Sequence, residues 1–166
     1  MGTIYEDYEI WVVDDEEQVR TSVKDYLEIF GYQVQTFADP VRTEAELALC
    51  AKYILVILDH DFSNTEQPTY TGYDFSKKVK QDYFLARATP IIYLTGRETR
   101  ANFDKYTAEF PSIVPNVFLQ KNEIALDGTL LANTVAAGFK YLENLENSIE
   151  EHGLALALEI ASDWRF

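Results

Sequence analysis

The sequence predicts an α/β fold in which five parallel strands form a doubly wound sheet with helices on both faces. Short apolar runs alternate along the chain with segments whose apolar residues recur at helical spacing. This alternation favours right-handed crossovers between parallel strands. Four of the five apolar runs also end at a polar residue, and in parallel sheets ligands collect beyond the carboxyl ends of the strands.

The first half of the chain contains three predicted strands and two predicted helices. The strands are 10–13 (IWVV), 32–37 (YQVQTF) and 53–58 (YILVIL). A helical apolar pattern covers 17–30 and ends at Gly31. Asp39 and Pro40 are suited to cap and begin a helix over 41–51. The third strand is a continuous apolar run, which is typical of a strand covered on both faces.

The second half continues the same alternation after a polar loop over 60–71. The remaining predicted elements are a helix over 73–84, a strand over 90–94 (PIIYL), a helix over 97–109, a strand over 116–120 (NVFLQ) and a long helix from about Gly128.

Polar residues at the strand ends form the candidate site. They are Asp14, Asp15, Asp59, Thr95 and Lys121. Three converging carboxylates repel one another, and a divalent ion that prefers oxygen ligands, such as Mg²⁺, removes the repulsion. Asp59 ends the most apolar strand and is the expected nucleophile toward a phosphoryl group. The other two aspartates are expected metal ligands, and Thr95 and Lys121 are expected phosphate contacts.

Five segments in this order carry a resemblance to a known family. They are VVDDE (12–16), ILDHD (57–61), TGYDF (71–75), PIIYLTGRE (90–98) and VFLQK (117–121). Over about residues 8–142 the chain resembles the receiver domain of two-component response regulators. The resemblance implies a flavodoxin-like sheet with strand order 2-1-3-4-5. It also implies phosphorylation by a histidine kinase or a histidine phosphotransfer protein, and a downstream protein effector.

The resemblance also implies a role for each matching residue. Asp59 would be the phosphoacceptor, Asp15 would bind Mg²⁺ directly, and Asp14 would assist mainly through water. The backbone carbonyl of Asp61 would be the third protein ligand. Thr95 would move toward the phosphoryl group, and Lys121 would pair with the acceptor or its phosphate. Phe118 falls at the position of the switch aromatic, which changes its packing when the threonine moves.

Three departures from the family pattern concern the site. Asn122 replaces the usual proline with its cis peptide, so Lys121 is expected to be displaced or to precede a strained cis bond. The segment 60–71 is longer than usual and is expected to overhang the site. Asp61 adds a carboxylate that would orient a water molecule or tighten cation binding.

Other positions are expected to have no chemical role. If the strand geometry continues, His60 points away from the site. Arg97 is interpreted as a solvated side chain rather than a phosphate contact. Outside the site, the segment 109–116 is also longer than the corresponding segment usually is in receiver domains.

Two alternative functions remain open at this stage. A degenerate receiver would bind proteins constitutively without turning over phosphate. A haloacid-dehalogenase-like phosphatase is suggested by DHDFS (59–63), which matches a D-x-D-x-[ST] pattern, but the acidic pair expected after the lysine is missing. The receiver interpretation implies no activity beyond Mg²⁺-dependent self-phosphorylation and autodephosphorylation.

The amino-acid composition limits the kinds of partner that the chain is expected to bind. Twenty-eight acidic residues against 14 basic ones give a net charge of −14, which disfavours nucleic acid and anionic membranes. The single cysteine, Cys50, excludes an internal disulfide and is interpreted as a small buried hydrophobe in a helix. The N-terminus lacks the pattern of a signal peptide, and no 18-residue apolar run occurs, so a cytoplasmic protein is expected.

The C-terminal region extends past the usual end of a receiver. Apolar or small residues recur at spacings of four and three, at 131, 135, 138, 142, 145 and 149, until Gly153 interrupts them. We therefore divide the chain into a receiver domain (1–142) and a helical extension (143–166). The extension either folds back on its own domain or forms a homodimer; a linker to a missing output domain is a third alternative.

Overall fold

A computed structural model describes residues 8–66, 68–82, 89–96, 98–109, 116–161 and 164. The strands are β1 (Tyr8–Val13), β2 (Val34–Phe37), β3 (Tyr53–Leu58), β4 (Ile91–Thr95) and β5 (Asn116–Gln120). They pair in parallel in the order β2-β1-β3-β4-β5. The doubly wound parallel sheet and its strand order are therefore confirmed.

Seven helices lie in the described part of the chain. They are α1 (Glu17–Glu28), α2 (Pro40–Leu47), α3 (Gly72–Asp82), α4 (Arg100–Glu109), α5 (Lys121–Leu126), α6 (Gly128–His152) and α7 (Leu154–Ala161). The short helix α5 was not predicted. A capping box marks its start, because Gln120 and Glu123 each bond to the other's backbone N–H.

Two predicted helices end earlier than expected. After α1, the backbone N–H of Gly31 donates to Glu28, and after α2 that of Cys50 donates to Leu47. Hydrogen bonds between residues three apart form a tighter final turn, and the four-residue hydrogen-bond pattern of the α-helix ends there. The prediction of Cys50 as a buried helical residue is therefore wrong. It is half-buried beyond α2, with its Sγ 3.5 Å from the carbonyl oxygen of Lys52.

The core consists of two apolar layers, one on each face of the sheet. Alternate residues of β3 point to opposite layers, with Leu55 and Ile57 on one side and Val56 and Leu58 on the other. All four are at most 1% exposed, as the continuous apolar run predicts. The central strand is thus held from both faces, which gives the residue that follows it a rigid position.

The C-terminal helices pack against the same domain. Helix α6 passes residue 142 without interruption, and Leu145 beyond it is fully buried. Gly153, with φ 82°, ends α6, and α7 then places Ala157 and Ala161 in the core layer that contains Leu145. Three other apolar residues of α7, Leu154, Leu156 and Ile160, are exposed. None of the described helices has the length and apolarity needed to cross a membrane.

Candidate functional site

The site lies where four neighbouring strands end. The backbone N–H of Asp14 donates to Phe37, and that of Asp59 donates to Val13, so both aspartates continue the ladder of the sheet by one residue. Thr95 is the last residue of β4, and Lys121 follows β5 directly. The pocket at this edge is lined by Asp15, Glu16, Asp59, Asp61, Asn64, Gly96 and Lys121. Of the predicted residues, Asp15, Asp59 and Lys121 therefore line one pocket, and Asp14 and Thr95 lie at the ends of the strands on either side of β3.

Four carboxylates converge in the site. Oxygen atoms of Asp14, Asp15, Glu16 and Asp59 all lie within 4.8 Å of one another. Asp14 and Asp59 are 2% and 4% exposed. Glu16 is the member that the sequence reasoning missed; its position directly after the aspartate pair was the available signal.

Burial and crowding oppose the ionisation of two of these groups. Burial first, and then the charge of Asp14, raise the pKa of Asp59 to about 7. Burial also raises the pKa of Asp14 above its ordinary value, although hydrogen bonding to the backbone of Glu16 and the charge of Lys121 oppose the shift. Additional positive charge at this point would therefore favour the ionised forms.

Lys121 supplies part of that charge. Its Nζ lies 3.1 Å from Asp14, 3.4 Å from Glu16 and 3.6 Å from Asp59. Burial alone would lower the pKa of Lys121, but the charges of Asp59 and Asp14 raise it above its usual value. All peptide bonds between described residues are trans, so Lys121 reaches the carboxylates as the first residue of α5, without the strained cis bond considered above.

The chemistry of the donors fits a divalent cation. Mg²⁺ prefers oxygen ligands and is usually bound by one or two carboxylates together with water. The four carboxylates, whose oxygen atoms lie within 4.8 Å of one another, carry more negative charge when ionised than the single positive charge of Lys121 can balance. The acidic pocket is thus suited to an ion such as Mg²⁺.

The residues predicted as switch elements are buried beside the site. Thr95 is fully buried, and its Oγ1 accepts a hydrogen bond from the backbone N–H of Glu98 at 3.3 Å. Phe118 is 3% exposed and packs against Phe103, with ring centroids 5.2 Å apart. Arg100 donates to the carbonyl oxygen of Phe118 at 3.1 Å, and its guanidinium lies 5.1 Å from the ring centroid, in cation–π range.

The lengthened loop after β3 covers part of the site, as predicted. An isolated bridge between Asp61 and Thr71 closes its base. The backbone N–H of Asn64 donates to a carboxylate oxygen of Asp15 at 3.2 Å, and Asn64 lines the pocket. The Asp61 carboxylate accepts a hydrogen bond from the backbone N–H of Ser63 at 2.9 Å. The metal-binding role of the Asp61 carbonyl stays a prediction.

His60 is turned toward helices rather than into the pocket. Its ring lies 4.5 Å from that of Tyr73 on α3, and its Nε2 lies 3.2 Å from the carboxylate of Glu98. Arg97 and residues 110–115 lie outside the described residues, so the interpretations of Arg97 and of the long segment 109–116 stay predictions.

Comparison with known proteins establishes the family. The family model of the response regulator receiver domain matches residues 10–109. The chain therefore belongs to the receiver-domain family, as its sequence motifs predict.

A curated relative agrees with the assignment to the receiver-domain family. The transcriptional regulatory protein YxdJ of Bacillus subtilis (strain 168) is 31% identical over 88 residues, which cover 53% of this chain and 34% of that protein. The chain thus spans about a third of the length of this relative.

Solved receiver structures share the fold. The chemotaxis protein CheY4 of Vibrio cholerae has a TM-score of 0.56 and 25% identity, covering 69% of this chain and 86% of that one. The N-terminal domain of a response regulator/sensory box/GGDEF protein from Carboxydothermus hydrogenoformans has a TM-score of 0.63 and 15% identity, covering 81% and 96% of the two chains.

Proposed function

We propose that this chain is a phosphorylatable receiver in which Asp59 accepts a phosphoryl group in a Mg²⁺-dependent reaction. The observation that carries the proposal is the position of Asp59. It is 4% exposed at the end of the central strand, with Lys121 within 3.6 Å and three further carboxylates around it. The phosphodonor is a phosphohistidine on a histidine kinase or a histidine phosphotransfer protein.

The transfer exchanges one bond to phosphorus for another. A carboxylate oxygen of Asp59 attacks phosphorus, the P–N bond of the donor breaks, and the imidazole leaves with the electron pair. The product on this chain is an acyl phosphate. Because the lysine ammonium already faces Asp59, it would pair with a phosphoryl oxygen without a large rearrangement.

The carboxylates would hold the metal ion. The proposed ligands are Asp14, Asp15, Asp59 and the backbone carbonyl of Asp61. When bound, Mg²⁺ neutralises charge on the phosphoryl oxygens. Glu16 lies near enough to serve as a further oxygen donor at the rim of the pocket.

Phosphorylation would act as a switch. The Thr95 hydroxyl would leave the Glu98 N–H and bind a phosphoryl oxygen, and Phe118 would repack in the space that this movement opens. The output is a changed affinity for a downstream protein in the cytoplasm. The net charge of −14 disfavours a direct nucleic-acid partner. In this proposal the chain performs no chemistry beyond forming and hydrolysing its own acyl phosphate.

The test uses acetyl phosphate, a small phosphodonor, and intact mass. With Mg²⁺, the wild-type chain is expected to gain the mass of one phosphoryl group, and Asp59→Asn is expected to gain none. Asp25→Asn, on the exposed surface of α1, is the matched control and should behave as wild type.

Removal of Mg²⁺ with EDTA should abolish the gain. An unmodified wild-type mass under all conditions would favour a degenerate receiver. Sustained release of phosphate from many small esters would favour a phosphatase.

A further inference from the structure

A side-chain contact joins the two loops that flank the phosphoacceptor. His60 directly follows Asp59, and Glu98 lies three residues after Thr95. The His60 Nε2 and a carboxylate oxygen of Glu98 are 3.2 Å apart, and the two side chains are only 19% and 10% exposed. An imidazolium would form an ion pair with the carboxylate, and a neutral imidazole protonated at Nε2 would present its N–H to the same oxygen.

Glu98 also binds polar groups at the start of α4. One of its carboxylate oxygens accepts hydrogen bonds from the backbone N–H of Thr99 at 2.8 Å and from the side chain of Asn102 at 2.9 Å. Its own backbone N–H donates to the Thr95 hydroxyl at 3.3 Å. The residue that holds the Thr95 hydroxyl is therefore itself held by its side chain.

The histidine is anchored on the other side. Its ring packs on Tyr73 at 4.5 Å, and Tyr73 stacks on Tyr106 of α4 with centroids 3.9 Å apart. The backbone N–H of His60 donates to the Asp59 carboxylate at 2.8 Å. His60 thus lies between the phosphoacceptor, the aromatic pair of α3 and α4, and Glu98, the residue that binds the Thr95 hydroxyl.

We infer that His60 and Glu98 are positioning residues that form a latch, which retains Thr95 in its unphosphorylated position. The inference rests on the proposed function, because it assigns Thr95 a movement toward phosphorylated Asp59. That movement requires the Thr95 hydroxyl to leave the Glu98 N–H. While His60 holds the carboxylate of Glu98, the Glu98 backbone stays at the Thr95 hydroxyl and opposes this movement; without the contact, the activated arrangement becomes more populated.

The test replaces His60 with Phe, which retains a ring against Tyr73 and removes Nε2. His152→Phe is the matched control, because His152 also lies near a glutamate, Glu151, but at the end of α6. Two quantities are measured: the NMR resonances of the Thr95 side chain without phosphodonor or metal, and the rate of phosphorylation by acetyl phosphate with Mg²⁺.

The latch predicts a shift of the Thr95 resonances and about a fivefold faster phosphorylation in His60→Phe, and neither change in His152→Phe. Glu98→Leu, which leaves Nε2 without an acceptor, should shift Thr95 in the same direction. The double variant should resemble Glu98→Leu, because the contact between the two side chains is already lost in that single variant. Unchanged Thr95 resonances, or additive effects in the double variant, would overturn the latch, even if the variants unfold at a lower temperature.

The Thr95 resonances decide the inference separately from the proposed function. If the wild-type chain takes up no phosphate and His60→Phe still shifts Thr95, the proposed function fails and the contact between the loops stands. If phosphate is taken up at the same rate in both and Thr95 does not shift, the latch fails and the proposed function stands.

Discussion

The ammonium nitrogen of Lys121 lies 3.1 Å from a carboxylate oxygen of Asp14. Its distances to Glu16 and Asp59, 3.4 Å and 3.6 Å, are longer. The lysine therefore serves as a shared counter-charge for the whole acidic cluster rather than as a partner of the phosphoacceptor alone. A bound cation and this lysine would neutralise the same carboxylates, which makes their effects on stability linked.

Replacing Lys121 with Met tests this linkage. At pH 8 without metal, the change leaves buried Asp14 and Asp59 without their counter-charge, and we expect a loss of about 2 kcal/mol in the free energy of unfolding. Mg²⁺ should recover part of that loss because it binds only the folded site. The measurement is urea unfolding with and without Mg²⁺.

The matched control is Lys140→Met on α6, where the lysine side chain is 72% exposed and pairs with Glu143. It should change stability by less than about 0.5 kcal/mol under either condition. Equal losses in the two variants would contradict the role of Lys121 as the counter-charge.

Asp59→Asn should stabilise the metal-free protein in a pH-dependent way. Burial and Asp14 raise the pKa of Asp59 to about 7, whereas in the unfolded chain it is near the ordinary aspartate value. As pH rises from about 4 to about 7, the unfolded form loses this proton first, so wild-type stability falls relative to the variant. The advantage of the Asp59→Asn variant should be absent near pH 4 and reach about 4 kcal/mol above pH 7.

Thermal unfolding in EDTA across pH 4–8 measures this advantage. Asp25→Asn, on the exposed surface of α1, is the control and should track the wild type throughout. A constant difference between wild type and Asp59→Asn at every pH would argue against a raised pKa as the cause.

Gly72→Ala should damage the site through backbone crowding. A Cβ at Gly72 would lie 2.5 Å from the carbonyl oxygen of Asp59 and 3.1 Å from the Cα of His60. Because the obstructing atoms belong to the backbone, β3 and α3 must separate, and we expect a loss of about 2 kcal/mol or more together with slower phosphorylation.

Gly128→Ala is the matched glycine substitution, since its Cβ would meet only the Tyr26 hydroxyl, at 3.9 Å. It should be neutral or stabilise by about 0.5 kcal/mol. Both variants are compared by chemical unfolding and by intact mass after acetyl phosphate. A fully stable Gly72→Ala protein would mean that the backbone accommodates the extra atom at no cost.

Deletion of residues 154–166 tests whether the C-terminal segment belongs to the domain. We propose that it folds back, because Ala157 and Ala161 of α7 are buried in the layer that contains Tyr141 and Leu145. Deletion should then lower the free energy of unfolding by about 2 kcal/mol or more without changing the oligomeric state. The measurements are urea unfolding and size-exclusion chromatography.

A substitution at an exposed residue of α7 distinguishes a folded-back monomer from a dimer. Leu156 is 45% exposed in the single chain, so Leu156→Ser should leave a folded-back monomer unchanged. If the wild type elutes as a dimer and Leu156→Ser as a monomer, α7 is an interface between two copies.

Apolar patterning alone establishes the order of the elements and the edge of the sheet that carries the site. Continuous apolar runs such as 53–58 specify buried strands, and the residue after each run must lie at a strand end. Asp14, Asp59, Thr95 and Lys121 were placed in this way, since the pattern is local and the parallel sheet brings equivalent strand ends together.

Which side chains touch at that edge depends on the folded arrangement. Lys121 contacts Glu16 across 105 residues of sequence, and the contact between His60 and Glu98 joins two different loops. Such pairs depend on side-chain directions and on the path of each loop, which apolar periodicity does not encode. The same holds for α7. The sequence of a hydrophobic helix predicts that its apolar residues are buried, but it does not specify whether they pack against the same domain or against a second copy of the chain.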